Sequence, residues 1–198
     1  MYPFLKRIFD IVSAFFVLVL LAPIMIVIAI VIVLDSKGGV FYKQERIGKD
    51  QIPFGLFKFR SMKSNADKTG QITIGADARI TKVGRFIRKY KIDELPQLIN
   101  IIKGDMSVVG PRPEVAKYVQ LYNKEQLNVL SVRPGLTDFA SLEFINEQEI
   151  LGKAEDPDKT YIEIIMPAKL ALNKKYLEER SLGTDFKIIF QTIFKIFK

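Results

Sequence analysis

Three hydrophobic patterns follow one another along this chain. The first is a continuous apolar run, residues 11–34, reading IVSAFFVLVLLAPIMIVIAIVIVL with no charged side chain. As a straight helix it would be about 36 Å long, enough to cross a hydrocarbon core of roughly 30 Å. The second lies in residues 40–44 and 54–62, rich in β-branched and aromatic side chains. Gly48-Lys49-Asp50 falls between these two segments, which predicts a β-hairpin. The third is helical spacing: apolar residues at 80, 83, 86, 87 and 90 predict a helix over 80–92. The polar segment 64–78 reads as a mobile loop. Asp93 reads as the cap of a further helix, with Glu94 in its first turn, Pro96 tolerated there and Gly104 ending it. Residues 108–113 predict a rigid loop, 114–130 a helix, and Arg133-Pro134-Gly135 a turn. Residues 161–180 read as a helix with a bend at Pro167.

The tail, residues 186–198, has apolar side chains at 186, 189, 190, 193 and 197, with Lys187, Gln191, Lys195 and Lys198 opposite. That pattern suits a helix lying in the lipid headgroup region; an ordinary core-packing helix would show it too.

Pro23 interrupts the long apolar run. It has no N–H to donate and its ring crowds the carbonyl of Val19, so a kink or break is expected there. Lys6 and Arg7 precede the run, and Lys37, Lys43, Arg46 and Lys49 follow it. Basic flanks favour the cytoplasmic side, and here both flanks are basic. Two arrangements satisfy the pattern: a helix that dips in, bends at Pro23 and returns, or a single kinked anchor. The run is too long for a signal-peptide core and no small-x-small site follows it.

The 30 basic and 22 acidic residues all lie outside this run, so the net charge of +8 belongs to the remainder of the chain. Such a surface suits anionic lipid, phosphates or nucleic acid. With neither cysteine nor histidine, the chain can form no disulfide, thiolate nucleophile, Ser-His-Asp triad or His-ligated metal site. Catalysis would fall to carboxylates, Lys, Arg, Tyr or hydroxyls, and any metal would be a hard, oxygen-bound cation such as Mg²⁺.

Asp93 and Glu94 are the adjacent carboxylates that could do such work. Capping a helix and favouring its dipole would also account for them. Arg85 and Arg88, three apart, share a helix face, with Lys91 three further on. These cations and the helix N-terminus are expected to keep Asp93 ionised, able to bind Mg²⁺ or attack phosphorus. Gly110-Pro111-Arg112-Pro113 fixes one arginine between prolines, where a guanidinium can grip phosphate at little entropic cost. Lys58 and Arg60 should share one strand face, with Phe57 and Phe59 on the other.

The stretch from 82 to 113, KVGRFIRKYKIDELPQLINIIKGDMSVVGPRP, closely resembles the bacterial sugar transferases, the small monotopic phosphoglycosyl transferases that load a first sugar onto a polyprenyl phosphate. LKRIFDI before a proline-broken apolar helix, the KFRSM hairpin and Arg133-Pro-Gly-Leu-Thr137 match as well, so the resemblance covers nearly the whole chain. It implies an α+β, mainly helical fold. Residues 1–36 would be a re-entrant membrane helix broken at Pro23. Residues 37–198 would form a catalytic domain on the cytoplasmic face of the inner membrane, with a β-hairpin and amphipathic interfacial helices. It further implies that Asp93 attacks the sugar-bearing phosphorus of a UDP-sugar, that Asp93 and Glu94 hold Mg²⁺, and that polyprenyl (undecaprenyl) phosphate takes the phosphosugar from an Asp93 adduct. Arg112 is the leading phosphate clamp; Lys58, Arg85, Arg88 and Arg133 are further substrate-binding candidates. Nucleic acid is not an expected partner, and a homo-oligomer is left open. The contrasting reading is a non-catalytic, membrane-anchored protein that binds anions or nucleic acid. Two positions depart from the family pattern. Ala22 stands where serine precedes the proline, and Asp138-Phe139-Ala140-Ser141 replaces Gly-Leu-Ala-Gln in a region expected to contact the sugar or nucleotide.

Overall fold

The computed structural model describes residues 1–63 and 77–196. The predicted loop 64–78 therefore lies outside the described residues except for its last two. The apolar run is part of one longer helix, α1 (Tyr2–Asp35), which begins well before it and continues through Pro23. The kink signal thus does not end the helix. Inward-facing positions recur at Asp10, Ala14, Met25 and Ile32, with Val17, Leu18, Leu21, Ile28 and Ala29 between them, so one stripe is apposed to the domain along the whole length. The opposite face leaves Phe15, Phe16, Leu20, Ile24, Val27 and Ile30 exposed. Among the described residues α1 is the one helix long and apolar enough to cross a membrane.

Both ends of α1 are tied down by charge. Near its start, the Arg7 guanidinium donates to the carbonyls of Ile101 (2.9 Å) and Ile102 (3.2 Å). These carbonyls close the end of α3 (Gln97–Lys103), where a cation offsets the negative end of the helix dipole. Asp10 accepts from Ser107 Oγ (2.8 Å) and the Val108 N–H (3.0 Å). At the other end, Arg60 donates to the carbonyls of Ile32 (3.2 Å), Ser36 (2.7 Å) and Lys37. Asp35 accepts from the Val83 N–H at the start of α2 (Lys82–Lys89).

The hairpin forms as β1 (Phe41–Ile47) and β2 (Pro53–Phe59), antiparallel with Phe41 opposite Phe59. Its connection is wider than the expected turn, with Asp50 and Gln51 both at positive φ. Helix α2 is shorter than its periodicity suggests; Thr81 caps it by accepting from the Gly84 N–H, and Tyr90 ends it. Part of the expected rigid loop pairs as β3 (Ser107–Val109) with β4 (Gly135–Thr137) in parallel. Gly135 is therefore strand rather than turn. A Cβ there would lie 2.1 Å from the Gly110 nitrogen, so the two backbones meet only because both residues are glycine.

The helix expected over 114–130 is replaced by a short α4 (Ala116–Val119) and a 3₁₀ turn, Gln126–Ser131. The Asn123 and Gln126 side chains each accept from the other's backbone N–H (2.9 and 2.8 Å), and such local bonds compete with helix continuation. After α5 (Phe139–Glu143), α6 (Glu147–Gly152) and α7 (Pro157–Thr160), a single π turn, Tyr161–Ile165, leads into α8 (Met166–Glu179). The irregularity signalled by Pro167 is this π turn, one residue before α8 begins. Helix α9 (Leu182–Ile196) starts four residues earlier than its apolar spacing indicates; it buries Asp185 and Ile188 and exposes Phe190, Ile193 and Phe194.

Candidate active site

Asp93 and Glu94 do not cap a helix. They sit in a 3₁₀ turn, Ile92–Glu94, entered through Lys91 in the left-handed conformation (φ 56°). Helix α3 starts beyond Pro96 with no side-chain cap. The apolar neighbours Ile92 and Leu95 anchor the turn against the core that holds Phe59 and Ile87. Asn100, fully buried on α3, locks the turn's helix to the hairpin: its Oδ1 accepts from the Phe57 N–H and its Nδ2 donates to the Gly55 carbonyl, both at 2.9 Å.

The two carboxylates live differently. Glu94 Oε1 takes Lys58 Nζ at 3.1 Å and an ion pair with the Arg112 guanidinium. Burial alone would push its carboxyl up, but Arg112 and Lys58 overcome that and hold it far below the usual carboxylate range. Asp93, only 6% exposed, has no hydrogen bond or ion pair to its carboxyl among the described residues. Burial pushes this carboxyl up and the Glu94 charge adds to it; Lys58, Arg88 and Lys91 oppose the shift without cancelling it. The cations expected around Asp93 do pull its carboxyl down, but burial and the Glu94 charge outweigh them in direction. Lys58 in turn is lowered by burial despite Glu94, and the Arg112 guanidinium is held charged by Glu94.

Arg112 is placed by strand pairing. The Gly110 N–H donates to the Thr137 carbonyl and the Gly135 N–H to the Pro111 carbonyl, both at 3.0 Å. Asp138, fully buried, accepts from the Arg112 N–H (3.2 Å) and caps α5 through the Ser141 N–H (2.6 Å). Arg46 reaches across from β1 to the Pro113 carbonyl and to Glu114 Oε1 (3.0 Å).

Asp93, Glu94, Lys58, Arg88 and Arg112 line one cavity of 1050 Å³. Arg85 and Arg133 do not. Arg85 is exposed on α2. Arg133 donates from Nε to the Gly104 carbonyl (2.8 Å) at the far end of α3, and a seven-residue helix separates that point from the carboxylates by roughly 10 Å. Arg60, expected to share a strand face with Lys58, lies just beyond β2 and spends its guanidinium on the end of α1. Asn100 was not singled out from the sequence, and Asp138 only as part of a departure from the family pattern; each acts through a partner more than twenty residues away, which no local pattern reports. Among the described residues no three acidic side chains gather. A pair of carboxylates fits a hard cation such as Mg²⁺, which keeps several waters and takes substrate phosphates as its other ligands.

Residues 1–198 match the sequence profile of the family described as bacterial sugar transferase. The chain is 39% identical over 196 residues to the UDP-N-acetylgalactosamine-undecaprenyl-phosphate N-acetylgalactosaminephosphotransferase of Aeromonas hydrophila, covering 97% of this chain and 43% of that protein. It is 37% identical over 192 residues to the uncharacterized sugar transferase EpsL of Bacillus subtilis, covering 97% and 87%. It is also 37% identical over 198 residues to the UDP-glucose:undecaprenyl-phosphate glucose-1-phosphate transferase of Escherichia coli, covering 98% and 40%. The chain thus spans less than half the length of the first and third of these relatives.

Proposed function

The chain belongs to the bacterial sugar transferase family, and from that premise we propose that it transfers a sugar 1-phosphate from a UDP-sugar to polyprenyl phosphate, releasing UMP. The observation that carries this reading is the inequality of the two adjacent carboxylates. Glu94 is neutralised by Lys58 and Arg112, whereas Asp93 lines the same cavity and, among the described residues, has no hydrogen bond or ion pair to its oxygens. A carboxylate without partners is available to form a covalent bond; one bound by two cations is a fixed support.

In the first displacement an Asp93 Oδ attacks the sugar-bearing phosphorus. A P–O bond forms to Asp93, the bond to the bridging diphosphate oxygen breaks, and UMP leaves with that electron pair. In the second, a phosphate oxygen of the polyprenyl phosphate attacks the same phosphorus. The aspartyl P–O bond breaks, regenerating the Asp93 carboxylate and giving the polyprenyl-diphosphate sugar. Arg112, preset by Asp138 and its flanking prolines, and Arg88 offer guanidinium groups to the charge that develops on phosphate oxygens. Asp93 and Glu94 are the residues that would hold Mg²⁺, which when bound supplies charge neutralisation at the diphosphate.

The protein works at the cytoplasmic face of the bacterial inner membrane, held there by α1. The two ends of α1 bond to one and the same polar domain, through Arg7 and Asp10 at one end and Asp35 and the Arg60 contacts at the other. Ends on opposite sides of a bilayer could not both do so. That supports an α1 that stays on one side of the bilayer, with its exposed apolar face and the outer side chains of α9 in lipid.

Asp93→Asn tests the function. Asparagine keeps size and polarity while removing the nucleophile, so UMP release from the accepted UDP-sugar should disappear while the melting temperature holds. Normal turnover by this variant would overturn the assignment.

A further inference from the structure

Away from Asp93, the same cavity has a second polar wall that the two displacements leave unused. Glu147 from α6 pairs with Lys169 from α8 at 2.9 Å, both side chains largely buried. Lys169 Nζ also lies 3.5 Å from the Tyr161 hydroxyl, which donates to Glu114 Oε2. Tyr161 opens the π turn, an irregularity often found where a helix is shaped around a ligand. One helical turn beyond Lys169, Asn173 lines the cavity, is 6% exposed, and its Oδ1 has no partner among the described residues. A buried amide oxygen without a donor costs free energy unless something outside the chain supplies one. Glu147, Lys169, Tyr161 and Asn173 line the same cavity as Arg112.

Resting on the transferase reading above, we propose that Glu147, Lys169, Tyr161 and Asn173 bind the pyranose of the donor and select among UDP-sugars. Carboxylate, ammonium, phenol and amide groups together offer the mixed donors and acceptors that ring hydroxyls or an acetamido group require. The alternative occupant of the wall is the uracil base, which would want an open aromatic face. The Tyr161 ring is already in contact with Tyr118, centroids 4.6 Å apart, and with the Lys169 ammonium at 5.2 Å. The wall therefore favours the sugar, and a site built to bond a particular hydroxyl rejects donors that lack it.

The test compares kcat/KM for UMP release by the full chain with UDP-glucose, UDP-galactose, UDP-N-acetylglucosamine and UDP-N-acetylgalactosamine, before and after Lys169→Met and Glu147→Gln. The preferred donor should lose about ten- to a hundredfold and poorer donors less, so that selectivity narrows. Inhibition by UMP should stay unchanged, and Lys169→Arg should restore part of the ranking. If Lys169→Met melts early, Glu147→Gln carries the same comparison. An equal loss for every donor, or an unchanged ranking, overturns the proposal. So does weakened inhibition by UMP, which would put the base at this wall. A wild-type protein that releases UMP from none of the four would instead remove the transferase reading, and this inference with it.

Discussion

Asp93 and Asp185 are both buried aspartates, 6% and 1% exposed, in sharply different company. Asp185 on α9 accepts from the Tyr2 hydroxyl (3.0 Å), from Lys6 Nζ (2.9 Å) and from the Tyr176 hydroxyl (2.8 Å). The Tyr176 hydroxyl also lies 3.2 Å from the Val109 carbonyl, so this network joins the first turns of α1 to α8, α9 and β3. Both of its oxygens are bonded inside the protein, and its role is to hold elements together. Asp93 is buried at comparable depth, shares its turn with a carboxylate held by two cations, and has no hydrogen bond or ion pair of its own among the described residues. Partnership, more than burial, separates the carboxylate that builds the fold from the one available for chemistry.

Exchanging the two losses is the strongest way to break this contrast. Asp93→Asn should lower turnover by about a thousandfold or more, as loss of a covalent nucleophile does, with little change in melting temperature. Asp185→Ala should do the reverse. Leaving Lys6 and two tyrosine hydroxyls without their acceptor costs about 3–5 kcal/mol, read as a lower melting temperature, while turnover per folded molecule survives. Next in size is Arg112→Met. It strips Glu94 of its strongest partner and the transferring phosphoryl group of a guanidinium, so kcat should fall about a hundredfold.

A smaller effect sharpens the electrostatics of Asp93. Lys91 is one of the cations that pull the Asp93 carboxyl down against burial. In Lys91→Met that pull is gone, the carboxyl rises further and becomes protonated at higher pH. The nucleophile is the deprotonated form, so activity is present above this pKa and lost as pH falls through it. The acid limb of kcat/KM should therefore move to higher pH in the variant; a shift to lower pH would contradict the account. Smallest of all is Arg133→Ala. Its contact is an exposed bond to the Gly104 carbonyl, worth about 1 kcal/mol of stability or less, and donor KM should not change.

Much of this arrangement can be read along the chain because it is written at short range. The uncharged run announces α1, Gly104 at φ 99° ends α3 as its position indicates, and the aromatic alternation gives the hairpin. Lys58, Arg88, Arg112, Asp93 and Glu94, suspected from charge and spacing, do come to one cavity. What the chain conceals is set at long range. Arg85 and Arg133 look equivalent to Arg88 and Arg112 in sequence, yet one points to the surface and the other is spent on a helix end, because strand pairing and α3 decide which cation reaches the cavity. The sequence around Asp93 reads as a helix cap, but Pro96 delays α3 and leaves a 3₁₀ turn whose carboxylates are free of capping. Asn100 is an ordinary polar residue, and the role of Asp138 in placing Arg112 is hidden, until their distant backbone partners are seen.

The most direct test is intact-mass spectrometry of the protein after incubation with an accepted UDP-sugar and Mg²⁺, without any lipid acceptor. The expected result is a mass gain of one sugar phosphate, absent in Asp93→Asn, accompanied by release of UMP. Full turnover on adding polyprenyl phosphate, with no adduct formed beforehand, would contradict the account and make the transfer a single direct displacement.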